Sequence, residues 1–558
     1  MRAADIIVRS LEQHGVERVY CVPGESYLAL LDALHSSSVQ VIVCRHESGA
    51  GFMAVAEAKL TAKPAVFMVS RGPGATNGSI AVHVAEQDAV PLILFIGQVS
   101  RQERGRGAFQ EVDYTQFFGM MAKAVFEVSD GQKVAETVAR AFHLAQEGVP
   151  GPVVISLPED MLTDSVSGDA LPPYPVARPQ YNAADAQALQ DMINQAERPM
   201  VLAGQLFRGS RGAKALAAFA EAQRLPVVLS WKSQDVFDNS SSLYGGHFGF
   251  GTPAKHKEVV ARADLIIAAG TRLGDLASIN YSFPAAPLPA QKLAHIYPDS
   301  RPVGRVFRTD LGIIADPVPL FEDLGRHPHV ANAVREQWNS SINDFIRGFQ
   351  TFVSPQPTDG VDFGTVVVAI AAVAPGDAVL ITDSGNISSW VHRHWKMTPR
   401  NTLIGTVGGA MGLGVPGAVA ASLAAPERMA IGFVGDGGVL MTGNELATAL
   451  QYGAKPKIVI SDNGTYGTIR THQEREYPQR VSGTDLKNPD FTSWAQSFGA
   501  LAVTIAAESD IAPKIAEALA YDGPAVIHVK SSREALSAYS TLSALGGKRQ
   551  VPCSNSPA

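Results

Sequence analysis

The sequence predicts an α/β protein made of three doubly wound domains, each built on a parallel sheet. Short apolar runs alternate with helix-spaced segments along nearly the whole chain, as in strand–helix–strand units. Two Pro-rich stretches, residues 171–179 and 354–359, divide this alternation into three blocks. The length of 558 residues accommodates three domains, and 46% apolar with 18% charged residues suits large cores.

In the first block, residues 1–170, strands are expected at 19–22, 39–44, 65–70, 92–97 and 153–157. Helical spacing fills 27–34, 48–61 and 75–86, and Arg71-Gly72-Pro73-Gly74 reads as the loop closing the third strand. The middle block, 183–345, has strand candidates at 200–203, 226–230, 265–269 and 293–296, a helix at 212–223 and a Gly-rich loop at 245–251. The third block, 360–540, has strands at 378–382, 429–434, 457–461 and 525–529, with helical spacing over 439–452. The polar tail, 546–558, is expected to fray. The first and third blocks share strands that end in Gly-rich loops and helices rich in Ala and Gly, which fits three doubly wound domains without establishing a repeat.

Composition excludes several functions. A net charge of −7 with no basic block argues against nucleic acid as a partner. Cys21, Cys44 and Cys553 form no CxxC pair, so neither a disulfide framework nor a zinc site is expected. Cys21 and Cys44 read as core thiols. The N-terminus lacks a signal-peptide apolar region, and no apolar run reaches the length of a membrane span. A soluble cytoplasmic protein with no membrane partner is the expectation.

The stretch that carries chemistry is Gly435-Asp436-Gly437-Gly438, with its counterpart Asn463-Gly464-Thr465. Each follows an apolar run, and the carboxyl ends of parallel strands face one ligand-binding crevice. Asp436 and Asn463 offer oxygens of the kind Mg²⁺ takes, and the Thr465 carbonyl would add a third. Gly437 and Gly438 let backbone N–H groups approach a diphosphate at a helix N-terminus. Ordinary turn and loop signals have the same composition, so position between strand and helix is what makes the pattern specific.

The span 435–463 resembles the thiamine-diphosphate motif, and residues 441–473 with most of the chain resemble the acetolactate synthase-like family. Other matches are His46-Glu47, Gly72-Pro73-Gly74-Ala75-Thr76-Asn77, Ala108-Phe109-Gln110-Glu111, Gly151-Pro152-Val153 and Gly408-Gly409-Ala410-Met411-Gly412. The resemblance implies a pyrimidine-binding domain (1–170), a central domain (183–345) and a diphosphate-binding domain (360–540). It implies thiamine diphosphate and Mg²⁺ acting on a small 2-oxo acid, with decarboxylation followed either by protonation to an aldehyde or by carboligation to a second carbonyl. Glu47, otherwise an ordinary helix-start carboxylate, would bond the pyrimidine ring and promote loss of the thiazolium C2 proton. Gly409 would bond the pyrimidine, and Met411, otherwise a core methionine, would bend the cofactor. Gly385, Gly435, Gly437, Gly438 and Tyr466 would complete the cofactor contacts, and Asp436, Asn463 and Thr465 would hold the metal. Phe109 and Gln110 match the family's pocket residues. Glu25 stands where related decarboxylases place an acid, although a capping role is open. His83 is a further catalytic candidate. Arg71 would grip a carboxylate or pair within the protein. In the family, different subunits bind the two cofactor ends, which implies a homodimer or homotetramer.

Two departures bear on specificity. His472 stands where acetolactate synthases carry a Trp. In Gly270-Thr271-Arg272-Leu273-Gly274-Asp275-Leu276 only Arg272 is kept from the flavin-binding pattern, and His247 matches a second flavin contact. FAD is therefore the less expected cofactor. The rival readings are a 2-hydroxyacyl lyase, an FAD-containing oxidase and an inactive regulatory subunit. The presence of Glu47, Asp436 and Asn463 speaks against the last.

Overall fold

The computed structural model describes residues 1–329 and 333–546. All but the first residue of the tail expected to fray, and Cys553 with it, lies outside the described residues. Three six-stranded sheets form, and every pairing within them is parallel.

The first sheet comprises β1 (Arg18–Cys21), β2 (Gln40–Val43), β3 (Ala65–Val69), β4 (Leu92–Gln98), β5 (Ala124–Glu127) and β6 (Pro152–Pro158), in the order β2-β1-β3-β4-β6-β5. The middle sheet has β7 (Pro199–Ala203), β8 (Val227–Leu229), β9 (Tyr244–His247), β10 (Leu265–Ala269), β11 (Lys292–Ile296) and β12 (Leu311–Ile313), in the order β12-β11-β10-β7-β8-β9. The third has β13 (Val379–Thr382), β14 (Thr402–Ile404), β15 (Ala430–Gly435), β16 (Lys457–Asp462), β17 (Leu501–Ile505) and β18 (Ala525–Lys530), in the order β14-β13-β15-β16-β18-β17. The first and third sheets thus share one strand order, and the middle sheet has another.

The strands absent from the sequence reading are β5, β9, β12, β14 and β17, and each of them pairs on one side only. Four of these five strands span only three or four residues, too few to stand out as an apolar run. The Gly-rich segment 245–251, expected as a loop, contributes most of β9 instead. Gly72-Pro73-Gly74 is not a loop but the first turn of helix Gly72–Gln87, where Pro73 needs no N–H partner. The helix expected over 439–452 is split into Asp436–Thr442, a 3-10 turn Gly443–Glu445 and Leu446–Tyr452. Gly443 lies against the Trp494 ring, 2.9 Å from where a Cβ would stand.

The helix Glu47–Thr61 is buried on nearly all sides, at Gly49 through Ala56 and again at Ala58 and Lys59. A helix without a polar face belongs inside a protein. It packs against Gly72–Gln87 in the first domain and against helix Gly414–Ala424 of the third. One apolar core therefore runs through both domains, from Phe67 and Ala81 to Ile381, Ala418 and Val434. The middle domain has a separate core around Leu202, Phe219 and Ile267. Cys21 and Cys44 are buried free thiols, and no helix among the described residues is long and apolar enough to cross a membrane.

Small residues make the helix contacts close. A Cβ on Gly51 would run into the Ala81 Cβ and come 3.3 Å from the Phe67 ring. Overpacking costs about 1–3 kcal/mol, against roughly 1 kcal/mol of helix propensity that alanine adds. Gly51→Ala is expected to lower the urea midpoint; an unchanged or higher midpoint would refute this packing account.

Candidate active site

In the first and third sheets the strand order reverses between the first and third strands, and ligands bind in the crevice at such a point. In the third sheet the adjacent ends are those of β13 and β15, and Asp383 leaves its strand level with Val434, two residues before Asp436. Helix Asp436–Thr442 starts directly at Asp436, with no intervening loop. A Cβ on Gly438 would strike Asp383 Oδ2, and one on Gly437 would strike the Tyr466 ring. Glycine is required at both places by close approach. The Met411 Cε lies 3.9 Å from that same Gly438 position, so the loop holding Met411 closes over the helix start.

Asp436 is buried. Its Oδ1 accepts the Gly437 N–H at 2.9 Å, and its Oδ2 accepts the Gly464 N–H and the Asn488 amide, both at 2.8 Å. Burial pushes its carboxyl above the ordinary value despite these donors. Asn463 is half-buried, and its Oδ1 accepts the Thr465 N–H at 3.2 Å. Gly464, at φ +65°, makes the turn between them. Thr465 is buried and its hydroxyl donates to the Thr484 carbonyl at 2.9 Å. Carboxylate and amide oxygens are hard donors suited to Mg²⁺ with a diphosphate. The donor set therefore fits such a group.

Several residues here escaped the sequence reading. Asn488 bridges Asp436 and Asp462, donating to each at 2.8 Å. Burial alone would raise the Asp462 carboxyl, but hydrogen bonds from His528, Asn488 and Lys530 hold it at about 2. Asp383 is fully buried and raised to about 6 by that burial, while accepting the Ser384 and Gly412 N–H groups at 2.8 Å. Gly385, at φ +134°, leads into Asn386, whose amide clasps Gly467 and Thr471 beside Tyr466. None of these sits in a short motif; the apolar strand preceding Asp383 was the available signal.

Gly409 is exposed at φ +73°, with no atom within 4 Å of a Cβ position, so its backbone faces open space. The loop before it is tethered to the first domain. Asp88 accepts the Val407 N–H at 2.8 Å and the Gly408 N–H at 3.3 Å. Lys59, from the Glu47 helix, pairs with Asp88 and donates to the Gly405 carbonyl at 2.5 Å. His83 Nε2 stands 3.9 Å from where a Gly408 Cβ would be.

In the first domain, β2 ends and the helix begins at Glu47, with the His46 ring capping it through the Ser48 N–H at 3.1 Å. Glu47 is half-buried and accepts the Asn77 amide at 3.0 Å. Arg71 is buried and paired within the protein, to Glu159 at 2.8 Å and Glu25 at 3.3 Å. Glu25 itself is exposed at the end of β1. Gln110 adopts φ +64°, and its carbonyl accepts the Gly72 N–H at 3.0 Å. Phe109 beside it is 74% exposed in the protomer. His472 lies on the outer face of helix Gly467–Glu476, 4.0 Å from Glu476, and is not brought to Asp436 within the chain.

Three family models match the chain. They describe the thiamine pyrophosphate enzyme N-terminal TPP binding domain (residues 1–117), central domain (186–324) and C-terminal TPP binding domain (383–529). The acetolactate synthase large subunit of Parasynechococcus marenigrum is 31% identical over 95% of this chain and 87% of its own length. The isozyme 1 large subunit of Escherichia coli is 31% identical over 95% and 94%, and the Lactococcus lactis large subunit 31% over 95% and 92%.

The Asp462 cluster yields a pH test. A carboxyl held at about 2 contributes stability above its unfolded value of 3.8 that disappears as pH falls through about 2. The contribution is on the order of 2 kcal/mol. Asp462→Asn is expected to flatten the acid limb of unfolding free energy against pH below about 4. An acid limb identical to wild type would contradict it.

Proposed function

The chain belongs to the acetolactate synthase-like family of thiamine-diphosphate-dependent enzymes, and from that premise we propose that it decarboxylates a 2-oxo acid and joins the remainder to a second carbonyl compound. The observation that carries this reading is the β13–β15–β16 crevice, where Asp436 opens a helix and the Asn463–Gly464 turn donates its Gly464 N–H to Asp436 at 2.8 Å. Thiamine diphosphate supplies, when bound, the electron sink that lets carbon dioxide leave.

The protein's part is to bind, orient and hold protons. Asp436, Asn463 and the Thr465 carbonyl hold Mg²⁺, and the N–H groups of the Gly435–Gly438 turn meet the diphosphate. Gly409 would bond the pyrimidine, Met411 would support the cofactor, and Gly385 and Tyr466 would line its diphosphate end. Glu47 holds a proton at the pyrimidine ring nitrogen. Gln110 and Phe109 meet the substrate, with His472 reaching the pocket in the assembly. Glu25 and His83 handle protons at the reacting end. The three blocks, 1–170, 183–345 and 360–540, act as the pyrimidine-binding, central and diphosphate-binding domains.

The active species is a homodimer or homotetramer with shared sites. Exposed apolar side chains in the protomer support this: Phe109 at 74%, Met120 at 95%, and Leu440 and Met441 near half on the Asp436 helix. The turnover needs no flavin. Arg272 is engaged by the Gln87 carbonyl at 2.7 Å, and His247 is half-buried beside Trp231 and held neutral, its pKa lowered by burial to about 3.

A panel of 2-oxo acids, with and without an aldehyde or 2-oxo acid acceptor, is expected to give carbon dioxide release and a carboligated product. Glu47→Gln should lose about 10²–10⁴-fold in turnover, and Asp436→Ala should abolish calorimetric binding of Mg²⁺–thiamine diphosphate. Wild-type protein that fails to bind the cofactor would overturn the reading. Protein reconstituted with FAD and desalted is expected to show no flavin absorbance; a retained yellow colour would overturn the flavin-independent part.

A further inference from the structure

The segment that begins at Asp436 also reaches the first domain. Glu445 is fully buried in the 3-10 turn between the two helices. Its Oε1 accepts the Arg45 N–H at 2.9 Å and the His46 N–H at 3.1 Å, and its Oε2 takes the Thr448 hydroxyl at 2.6 Å. The helix that follows adds two grips on the same strand exit. Tyr452 Oη accepts the Val43 N–H at 2.8 Å, and the Gln451 side-chain oxygen accepts from the Arg45 guanidinium at 2.6 Å. Glu47 comes one residue after this clasped turn. A Cβ on Gly49 would collide with Glu445 Oε1, so the first turn of the Glu47 helix lies directly on the carboxylate.

We propose that Glu445 is a positioning residue for Glu47: its carboxylate fixes the Arg45–His46 turn and thereby sets where Glu47 presents its own. The argument is geometric. Backbone N–H groups at the mouth of a helix have no partner within it, and here a side chain from another domain supplies one for two successive residues. Buried carboxylates are costly unless fully engaged, and both Glu445 oxygens are. The inference rests on the role given to Glu47 above, and it concerns orientation rather than contact with substrate.

The test uses the full-length protein loaded with Mg²⁺ and thiamine diphosphate. Glu445→Gln keeps an oxygen at the Oε1 position and is expected to behave within about threefold of wild type. Glu445→Ala, and Glu445→Asp with its shorter reach, are expected to retain cofactor binding by calorimetry while slowing deuterium exchange at the cofactor C2 by about tenfold or more. Amide hydrogen exchange at Arg45 and His46 should accelerate in the same two variants, with or without cofactor. Should Glu445→Ala fail to fold, Glu445→Asp carries the comparison. Wild-type C2 exchange in a variant whose Arg45 and His46 amides have lost protection would overturn the proposal, as would unchanged amide protection. Glu47→Gln is the control: if it exchanges at the wild-type rate, the reading of Glu47 fails, while the amide result still decides whether Glu445 holds the turn.

Discussion

The structure depends on one helix that has no side to turn toward water. Residues Glu47–Thr61 present Ala and Gly to helices from both the first and the third domain. Only small side chains let three helices approach closely enough to exclude water, and burying that apolar surface is the dominant favourable term in joining the domains. Glu47 stands at the mouth of this helix and Lys59 near its far end. The same packing therefore fixes one site carboxylate and one buried ion pair, Lys59–Asp88, whose ammonium also reaches the Gly405 carbonyl of the third domain.

The polar contacts across this core are reciprocal. The third domain lends Glu445 to the turn before Glu47, and the first domain lends Asp88 to the loop before Gly409. Around the crevice, aspartates of one chemical type sit in unlike states. Asp383 is raised by burial, while hydrogen bonds from His528, Asn488 and Lys530 hold Asp462 low. Environment rather than residue type sets the charge, and the strand order places these unlike groups at the carboxyl ends of the two strands that flank β15.

Much of this was legible in the sequence because buried parallel strands read as unbroken apolar runs. Leu265–Ala269 appears with the expected bounds, and the strand leading to Asp436 is displaced by one residue. Of the six edge strands only β2 was legible; β5, β9, β12 and β14 span just three or four residues, too short for an apolar run. The similarity between the first and third blocks, weak in composition, is plain in their identical strand order. Asp436 and Asn463 were found because each directly follows a strand. Asp383 also follows an expected strand but carries no motif, and Asn488, Asp88 and Glu445 were not found because their partners lie far away in sequence. The Gly435–Gly438 pattern carries information in the chain; an interdomain hydrogen bond does not.

Lys232 gives the domain junction a different meaning. It is buried at φ +58° beside Gly405 and Thr382, its ammonium lacks a hydrogen-bond partner among the described residues, and burial lowers its pKa to about 8. Separation of the middle domain would return that charge to water, so this side chain favours undocking. What holds the middle domain in place must be the neutral and paired contacts around it, such as Asp235 with the Leu403 N–H and Asn239 with Met397. The seam is thus a balance rather than a weld.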